Sequence, residues 1–259
     1  MATNTTAACR INLHNHTTWS DGRFAPEEVV QAAIAGGLTH VGISDHFKTA
    51  KLSATASFVG IDFLDAYIQE VRGLAQRYAG QVRVLCGLEV DFSERTPMDQ
   101  FWQRGFRRTP LNGLDYVLFE YVSNPDWRGL PLSALVAYRR WLQVPVGLAH
   151  TFFGQGFSGA GNAVDLARTL AEQRIFIELS TASPYTTVSS QTGRRVPYYR
   201  SDDAYTTALW AALREREVLF SIGSDAHADL AEVADIADAW AFLRERGWED
   251  RLVTARYWR

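Results

Sequence analysis

The stretch INLHNHTTWSDG, residues 11 to 22, starts as a short apolar strand and ends in His14, Asn15 and His16, with Asp21 close behind. Side chains alternate along a strand, so His14 and His16 share one face while Leu13 and Asn15 share the other. Such a pair is either an ordinary polar strand end or half of a metal site. The rest of the chain decides which.

The same pattern recurs six more times along the chain. The runs THVGISDH, VRVLCGLEVDF, LDYVLFEYV, VPVGLAHT, IFIELST and VLFSIGSDAH are apolar and β-branched, and each carries an acidic or histidine side chain toward its end. Between them lie APEEVVQAAIAGG, FLDAYIQEVRGLAQRYAG, PLSALVAYRRWLQ, AVDLARTLAEQ and SDDAYTTALWAALREREV, with apolar residues at helical spacing. Pro26 with Glu27 and Glu28 makes a good first helical turn, and Gly36-Gly37 a good stop. A closing helix, DLAEVADIADAWAFLRERG, follows the last strand. Near-continuously apolar strands separated by helices predict a parallel sheet covered on its outer face. Seven such units predict an α/β fold, a distorted seven-stranded (β/α)7 TIM-like barrel, as a single domain over residues 11–259 behind a loose tail at 1–10. No repeat, linker or low-complexity block splits off a second domain.

With 47% apolar and 21% charged residues in 259, the composition is that of a globular enzyme. A net charge of −3 gives no broad attraction to nucleic acid or an anionic membrane. No apolar run approaches the roughly 20 residues that span a bilayer. The opening MATNTTAACR lacks the apolar core of a signal peptide. Cys9 and Cys86 make no C-x-x-C pair, which predicts a reducing, cytoplasmic setting.

The polar strand ends are His14 and His16, Asp45 and His46, Glu89 and Asp91, Glu120, His150, Glu178, then Asp225 and His227. The C-terminal rim of an α/β barrel is where catalytic side chains converge. Five of the six histidines fall there; only His40 precedes its strand. Imidazoles mixed with carboxylates suit zinc, iron or manganese, whereas an all-oxygen set suits magnesium or calcium. The set exceeds the needs of one ion and predicts a multinuclear site, with carboxylates holding ions about 3.5–4 Å apart.

In this order and at these strand ends, HNHTTWSDG, ISDHF, GLEVDF and GSDAH resemble the polymerase and histidinol phosphatase (PHP) family, over about residues 11 to 230. The resemblance implies a distorted seven-stranded β/α barrel, two to three divalent ions (Zn, Mn or Fe) and hydrolysis of phosphoesters by an activated water in line with phosphorus. Residue by residue, it implies that His14, His16 and Asp225 hold one ion and that Glu89 bridges to a second, bound by His150. Asp21, His46 and His227 would hold a third. Asp45 would orient a ligand or shuttle a proton, a catalytic role shared with Glu89.

The fourth strand departs from the family. Val122 stands where members often carry a histidine, and Glu120, two residues earlier on the same strand face, is either a substitute ligand or a rim acid that contacts substrate. Without a ligand there, the second ion would bind more weakly or be a harder metal such as manganese.

The loop TASPYTTVSSQTGRRVPYYRS is long, basic and aromatic. Arg194, Arg195 and Arg200 would clamp a substrate phosphate through bidentate guanidinium contacts, or else decorate a solvated surface loop. Lys48 and Lys51 invite the same reading. The tryptophans of FWQRGF and ALWAAL read as packing residues. The expected partner is a small-molecule phosphoester, with no long nucleic acid and no membrane. A nucleotide or oligonucleotide phosphodiesterase or exonuclease of the same fold is the nearest alternative, since the aromatic loop would stack a base. A metal-dependent amidohydrolase also begins with H-x-H, but the two Asp-His pairs, and the lack of a strand-end lysine for a bridging carbamate, stand against it. A metal-binding module without turnover is the third alternative.

Overall fold

The computed structural model describes residues 10–47, 64–96, 110–159 and 161–258. The N-terminal tail at 1–9, Lys48, Lys51 and the FWQRGF segment lie outside the described residues. Strand β1 (Ile11–Asn12) pairs in parallel with β2 (His40–Ile43), and β2 with β4 (Arg83–Cys86). A second parallel sheet runs in the order β11 (Phe220–Gly223), β8 (Ile175–Ser180), β7 (Val146–Leu148), β6 (Val117–Glu120), β5 (Glu89–Asp91), β3 (His46–Phe47).

The two sheets are continuous through two interrupted strands. The chain breaks its pairing between β2 and β3, and again between β4 and β5. Across the breaks the Gly87 amide donates to the Ile43 carbonyl at 2.8 Å, and the Glu89 amide to the Asp45 carbonyl at 3.0 Å. The breaks accommodate Tyr116. A Cβ on Gly87 would sit 2.2 Å from its ring, and one on Gly42 2.0 Å from its hydroxyl. That hydroxyl donates to the Leu13 carbonyl at 2.5 Å, while the Tyr67 hydroxyl lies 2.9 and 2.8 Å from the carbonyls of Ile43 and Gly87. The backbone groups of the kink therefore keep partners in a dry core. At the opposite edge, β1 and the chain after it bond to β11: Leu13 donates to Ile222 at 2.8 Å, Asp225 to His14 at 2.9 Å and His16 to Ala226 at 2.9 Å.

Helices cover the sheets. They are α1 (Pro26–Ala35), α2 (Leu64–Arg77), α3 (Leu132–Arg139), α4 (Phe153–Gly156), α5 (Ala163–Gln173), α6 (Ala204–Leu213), α7 (Ala237–Arg246) and α8 (Val253–Tyr257). Each longer helix buries one stripe: Val29, Val30 and Ala33 on α1, Leu166, Ala167 and Leu170 on α5, Leu209, Trp210 and Leu213 on α6. Asn162 and Asp203 cap α5 and α6 by accepting the amides of Asp165 (2.8 Å) and Thr206 (2.9 Å). The result is a mixed α/β single-domain fold with mostly parallel sheets. No helix among the described residues is long and apolar enough to cross a membrane.

Two expectations are revised. The closing segment is not one helix: a 3-10 turn at Leu230–Ala234 precedes α7. The Val233 carbonyl, which a continuous helix would bond internally, instead accepts the Asn12 amide at 2.8 Å, and the Asp235 carbonyl accepts the Thr181 hydroxyl at 2.6 Å. The long segment after β8 is not simply a loop. It forms an antiparallel hairpin of β9 (Thr186–Val188) and β10 (Arg195–Pro197).

Candidate metal centre

The polar strand ends meet at one end of the sheets. β1 delivers His14 and His16 side by side, their Nε2 atoms 3.0 Å apart. Asp225, just past β11, places Oδ1 at 3.2 Å from His14 Nε2 and 2.9 Å from His16 Nε2. Glu89 closes this group from β5, with Oε1 3.4 Å from His14 Nε2 and Oε2 3.5 Å from His16 Nε2. Metal–ligand bonds of about 2.0–2.2 Å put neighbouring donor atoms roughly 3–3.5 Å apart, which is the spacing seen here. Asp225 Oδ1, Glu89 Oε2 and His46 Nδ1 are buried without a hydrogen bond, although charged or polar groups stand close to each. Inward-facing donors of this kind fit a cation between them.

Glu89 also faces the other way. His150 Nε2 lies 2.8 Å from its Oε1 and 3.8 Å from Glu120 Oε2; His46 Nδ1 lies 2.9 Å from its Oε2 and 3.7 Å from Glu120 Oε1. A third group surrounds Asp21, whose carboxylate is 3.3 Å from His227 Nε2, 3.6 Å from His46 Nε2 and 3.7 Å from His16 Nδ1. Thus His14, His16, Asp21, His46, Glu89, Glu120, Asp225 and His227 fall in three overlapping groups of donor atoms, and His150 adjoins them through Glu89. Val122 is buried and lies outside all three.

Charge in the cluster is strongly biased. Burial opposes a proton on His14, but Glu178, Glu89 and Asp225 outweigh it and hold its pKa well above the imidazole range. His16 goes the other way: burial, with His46 and His227 beside it, lowers it to about 3, so its imidazole is neutral. His46 is raised to about 9 by Glu89, Glu120 and Asp21 in spite of burial. Burial disfavours charge on Glu89, yet His14 and His46 hold its carboxyl well below the usual range. Asp225 is likewise held low by His14 and His16 against its burial.

The surroundings fix these ligands. Glu178, on β8, accepts from His14 Nδ1 with both oxygens (2.9 and 3.1 Å) and from the His150 amide at 3.0 Å. That bond sets the His14 tautomer and leaves Nε2 to face the cluster. Gly223 lets Glu178 pass, since a Cβ there would sit 2.0 Å from its Oε1. Asn12 ties β1 to the chain after β11 through Ser224 Oγ, 2.7 Å from its side-chain nitrogen, with Asn15 Oδ1 2.9 Å away. His150 and Asp225 adopt φ of 27° and 52°, a region that non-glycine residues avoid. Strain of this kind persists where the surrounding contacts over-determine it.

Asp45, expected to orient a ligand or shuttle a proton, faces the loop between His16 and Asp21. Fully buried, it accepts from the Thr17 amide (2.7 Å), the Thr17 hydroxyl (2.7 Å) and the Ser20 hydroxyl (2.6 Å). Burial raises its pKa against those bonds. Its carboxylate braces the loop that carries Asp21. The arginines of the expected clamp do not join the cluster. Arg194 and Arg195 are exposed on the hairpin, with Arg195 Nε donating to Thr186 Oγ1 at 3.0 Å. Arg200 is held by Asp238 (2.8 Å) and Glu245 (2.9 Å) on α7, which removes it from a phosphate clamp. His40 sits apart, its Nε2 3.2 Å from the Trp258 carbonyl.

Sequence reasoning gave no role to Glu178, Asn12 or Tyr185. An asparagine inside an apolar strand was a usable signal for Asn12. Tyr185 belongs to the loop already read as aromatic, and its ring stacks on His150 at 3.9 Å between centroids.

A family profile described as the PHP domain matches residues 12–246. The chain belongs to the PHP domain family. Among curated proteins, PHP-type similarity extends to the DNA polymerase/3'-5' exonuclease PolX of Bacillus subtilis (strain 168), 32% identical over 80 residues, which is 31% of this chain and 13% of that one. A probable histidinol-phosphatase of Deinococcus radiodurans is 30% identical over 95 residues, 35% of each chain. The chain thus spans well under half the length of either curated relative in its matched region. Among solved structures, histidinol phosphate phosphatase from Lactococcus lactis subsp. lactis Il1403, complexed with Zn, L-histidinol and phosphate, superposes with a TM-score of 0.56 at 16% identity. That match covers 93% of this chain and 94% of the other. The putative histidinol phosphatase of Listeria monocytogenes gives a TM-score of 0.52 at 15% identity, covering 90% and 99%. These likenesses place the chain in the same fold.

Proposed function

We propose that this protein is a metal-dependent phosphoesterase that hydrolyses a small phosphorylated substrate on a site for two to three divalent ions. Glu89 carries the reading, because one carboxylate stands in both the His14, His16, Asp225 group and the His46, Glu120 group, with His150 against its Oε1. A shared carboxylate holds two ions about 3.5–4 Å apart, the spacing used to attack phosphoryl centres. Zinc, manganese or iron, when bound, would supply an acidified water and neutralise phosphate oxygens. His14, His16, Asp225 and Glu89 would hold one ion; Glu89, Glu120 and His150 a second; Asp21, His46 and His227 a third. Glu120 in this reading is the substitute ligand opposite Val122.

The protein's own groups do the positioning. Glu178 keeps the Nδ1 proton of His14 and so presents the Nε2 lone pair. Asp45 fixes the loop that presents Asp21 through Thr17 and Ser20. Asp21 and His227 are each about one-third exposed, so this side of the cluster opens to incoming substrate. In the reaction, oxygen from water bonds to phosphorus, the P–O ester bond breaks, and the leaving oxygen takes a proton. The seven strand stretches form one distorted barrel in this reading, supported by the bonds from β11 to β1 and across both kinks. The free, buried Cys86 supports a reducing, cytoplasmic setting.

The test is a screen of metal-loaded and chelator-stripped protein against phosphomonoesters, phosphodiesters and amides, with elemental analysis of the loaded form. Metal-dependent phosphomonoester cleavage and more than one ion per chain are expected. Cleavage of amides alone would overturn the reaction class, and one ion or none would overturn the multinuclear site.

A further inference from the structure

The breaks between β2 and β3 and between β4 and β5 fall immediately before His46 and Glu89. Register is the same on both sides: Ile43 pairs with Cys86 before the break and His46 with Glu89 after it. Two rungs survive, from the Gly87 amide to the Ile43 carbonyl at 2.8 Å and from the Glu89 amide to the Asp45 carbonyl at 3.0 Å. In a regular parallel ladder the rung between them runs from the Asp45 amide to the Gly87 carbonyl. Here a side chain takes its place. The Tyr67 hydroxyl, carried by α2, reaches the Gly87 carbonyl at 2.8 Å, with the Ile43 carbonyl at 2.9 Å, and the Asp45 amide donates to it.

Tyr67 is fully buried, and burial, with Cys86 and Asp45 beside it, pushes its hydroxyl well above the phenol range. The hydroxyl therefore keeps its proton and serves both sides of the gap, accepting from one strand and donating to the other. A direct rung holds nitrogen and oxygen about 2.9 Å apart, whereas two bonds through one hydroxyl oxygen hold them about 4.5–5 Å apart. The strands are thus spread by about 1.5–2 Å just before the two ligands. The ring is fixed from the side of the Asp21 loop. Trp19 packs edge-on against it at 5.7 Å between centroids, and Trp19 Nε1 donates to Glu70, also on α2, at 2.8 Å.

We propose that Tyr67 is a positioning residue whose hydroxyl acts as a spacer in the ladder and sets the place of Glu89 between the two groups of donors it joins. The inference rests on the multinuclear reading above. Without the hydroxyl, the Asp45 amide and the Gly87 carbonyl either close into a direct rung, which draws Glu89 and His46 out of place, or stay buried and unpaired. Glu89 Oε1 stands 2.8 Å from His150 Nε2 and its Oε2 2.9 Å from His46 Nδ1, so little displacement is tolerated. A movement of ~1.5–2 Å exceeds the roughly 0.5 Å within which such a constellation has to be held.

The test compares the native, Tyr67→Phe and Val71→Ala proteins loaded with Mn(II). Val71 is buried on the same helix, so its truncation loosens the packing of α2 and leaves the hydroxyl in place. Native and Val71→Ala proteins should give the multiline electron paramagnetic resonance spectrum of two exchange-coupled Mn(II) ions. Tyr67→Phe should give uncoupled Mn(II) and bind the shared pair roughly 10- to 100-fold more weakly. A Tyr67→Phe protein with the native coupled spectrum and native affinity overturns the proposal. Loss of coupling in Val71→Ala as well as in Tyr67→Phe also overturns it, because packing alone would then account for the effect. A second measurement needs no variant. In the Zn(II) form of the unmodified protein, the Asp45 amide proton should show a nuclear Overhauser effect to the Tyr67 ring and no scalar coupling across a hydrogen bond to the Gly87 carbonyl carbon; the reverse overturns the spacer. A native protein that binds one ion or none sinks the multinuclear reading, and with it the joining role of the spacer, while the Overhauser result decides separately whether the hydroxyl stands in the ladder.

Discussion

Replacing Glu178 by glutamine keeps the side chain's size and removes its charge, and it should loosen two proposed ion sites at once. In the native protein one carboxylate receives His14 Nδ1–H on both oxygens and the His150 amide on Oε2. A glutamine has one accepting end. If its oxygen takes the Oε1 position, its NH2 meets the His150 amide, donor against donor; if it flips, its NH2 meets His14 Nδ1–H across the shorter 2.9 Å contact and only the 3.1 Å acceptor is left. Either way one charge-assisted bond goes, worth about 1.5–3 kcal/mol in a buried site. That loss corresponds to roughly 10- to 100-fold in ion affinity, the range typical of partners that orient metal-bound histidines. The assay is titration of chelator-stripped protein with Zn(II) or Mn(II) against a chromophoric chelator. Sites using His14 and His150 should weaken together, whereas the group around Asp21, His46 and His227 should keep its affinity. Asp21→Asn should give the opposite pattern. A Glu178→Gln protein that folds and binds every ion with native affinity would refute the reasoning.

Arg200→Ala should cost about 1 kcal/mol of stability, because its partners Asp238 and Glu245 are half exposed. Activity should stay within about threefold of native, as expected of a surface change away from the site; a large rise in KM with unchanged thermal stability would restore Arg200 to the phosphate clamp. The metal-free protein should lose stability as pH rises. His46 is raised from 6.5 to about 9 in the fold. Its contribution, up to about 3 kcal/mol, is therefore complete below pH 6.5 and gone above about 9. Urea denaturation of stripped protein at both extremes checks this, and equal or greater stability at the alkaline end would contradict the ion pairs assigned to His46. Bound ions compete with those protons, so ion affinity should instead increase over the same range.

Local chemistry made much of the site legible. Each polar strand end was readable because an acid or histidine terminating an apolar run has nowhere apolar to go, and eight such residues do converge, joined by Asp21 from the loop after β1. Which of its two expected tasks Asp45 suits was not legible, because whether a carboxylate at a strand end faces ions or a neighbouring loop depends on Thr17 and Ser20, twenty-five and more residues away. Local reasoning failed for Arg200 because its acidic partners lie on α7, far along the chain. The closing helix broke because of Asn12, which takes a carbonyl the helix would have used.

The sequence by itself determined the alternation of strands and helices, the parallel sheets, and the donor types that gather at one end. Period, propensity and residue chemistry are local properties, and each is written in a few consecutive residues. Only the tertiary structure decided that Glu89 faces two groups of donors, that Glu178 governs His14 and His150 together, and that a hydroxyl from α2 stands in the ladder beside Gly87. Those outcomes are distances between residues remote in sequence, fixed by kinked strands, by glycines that let Tyr116 and Glu178 pass, and by strained turns that packing holds in place.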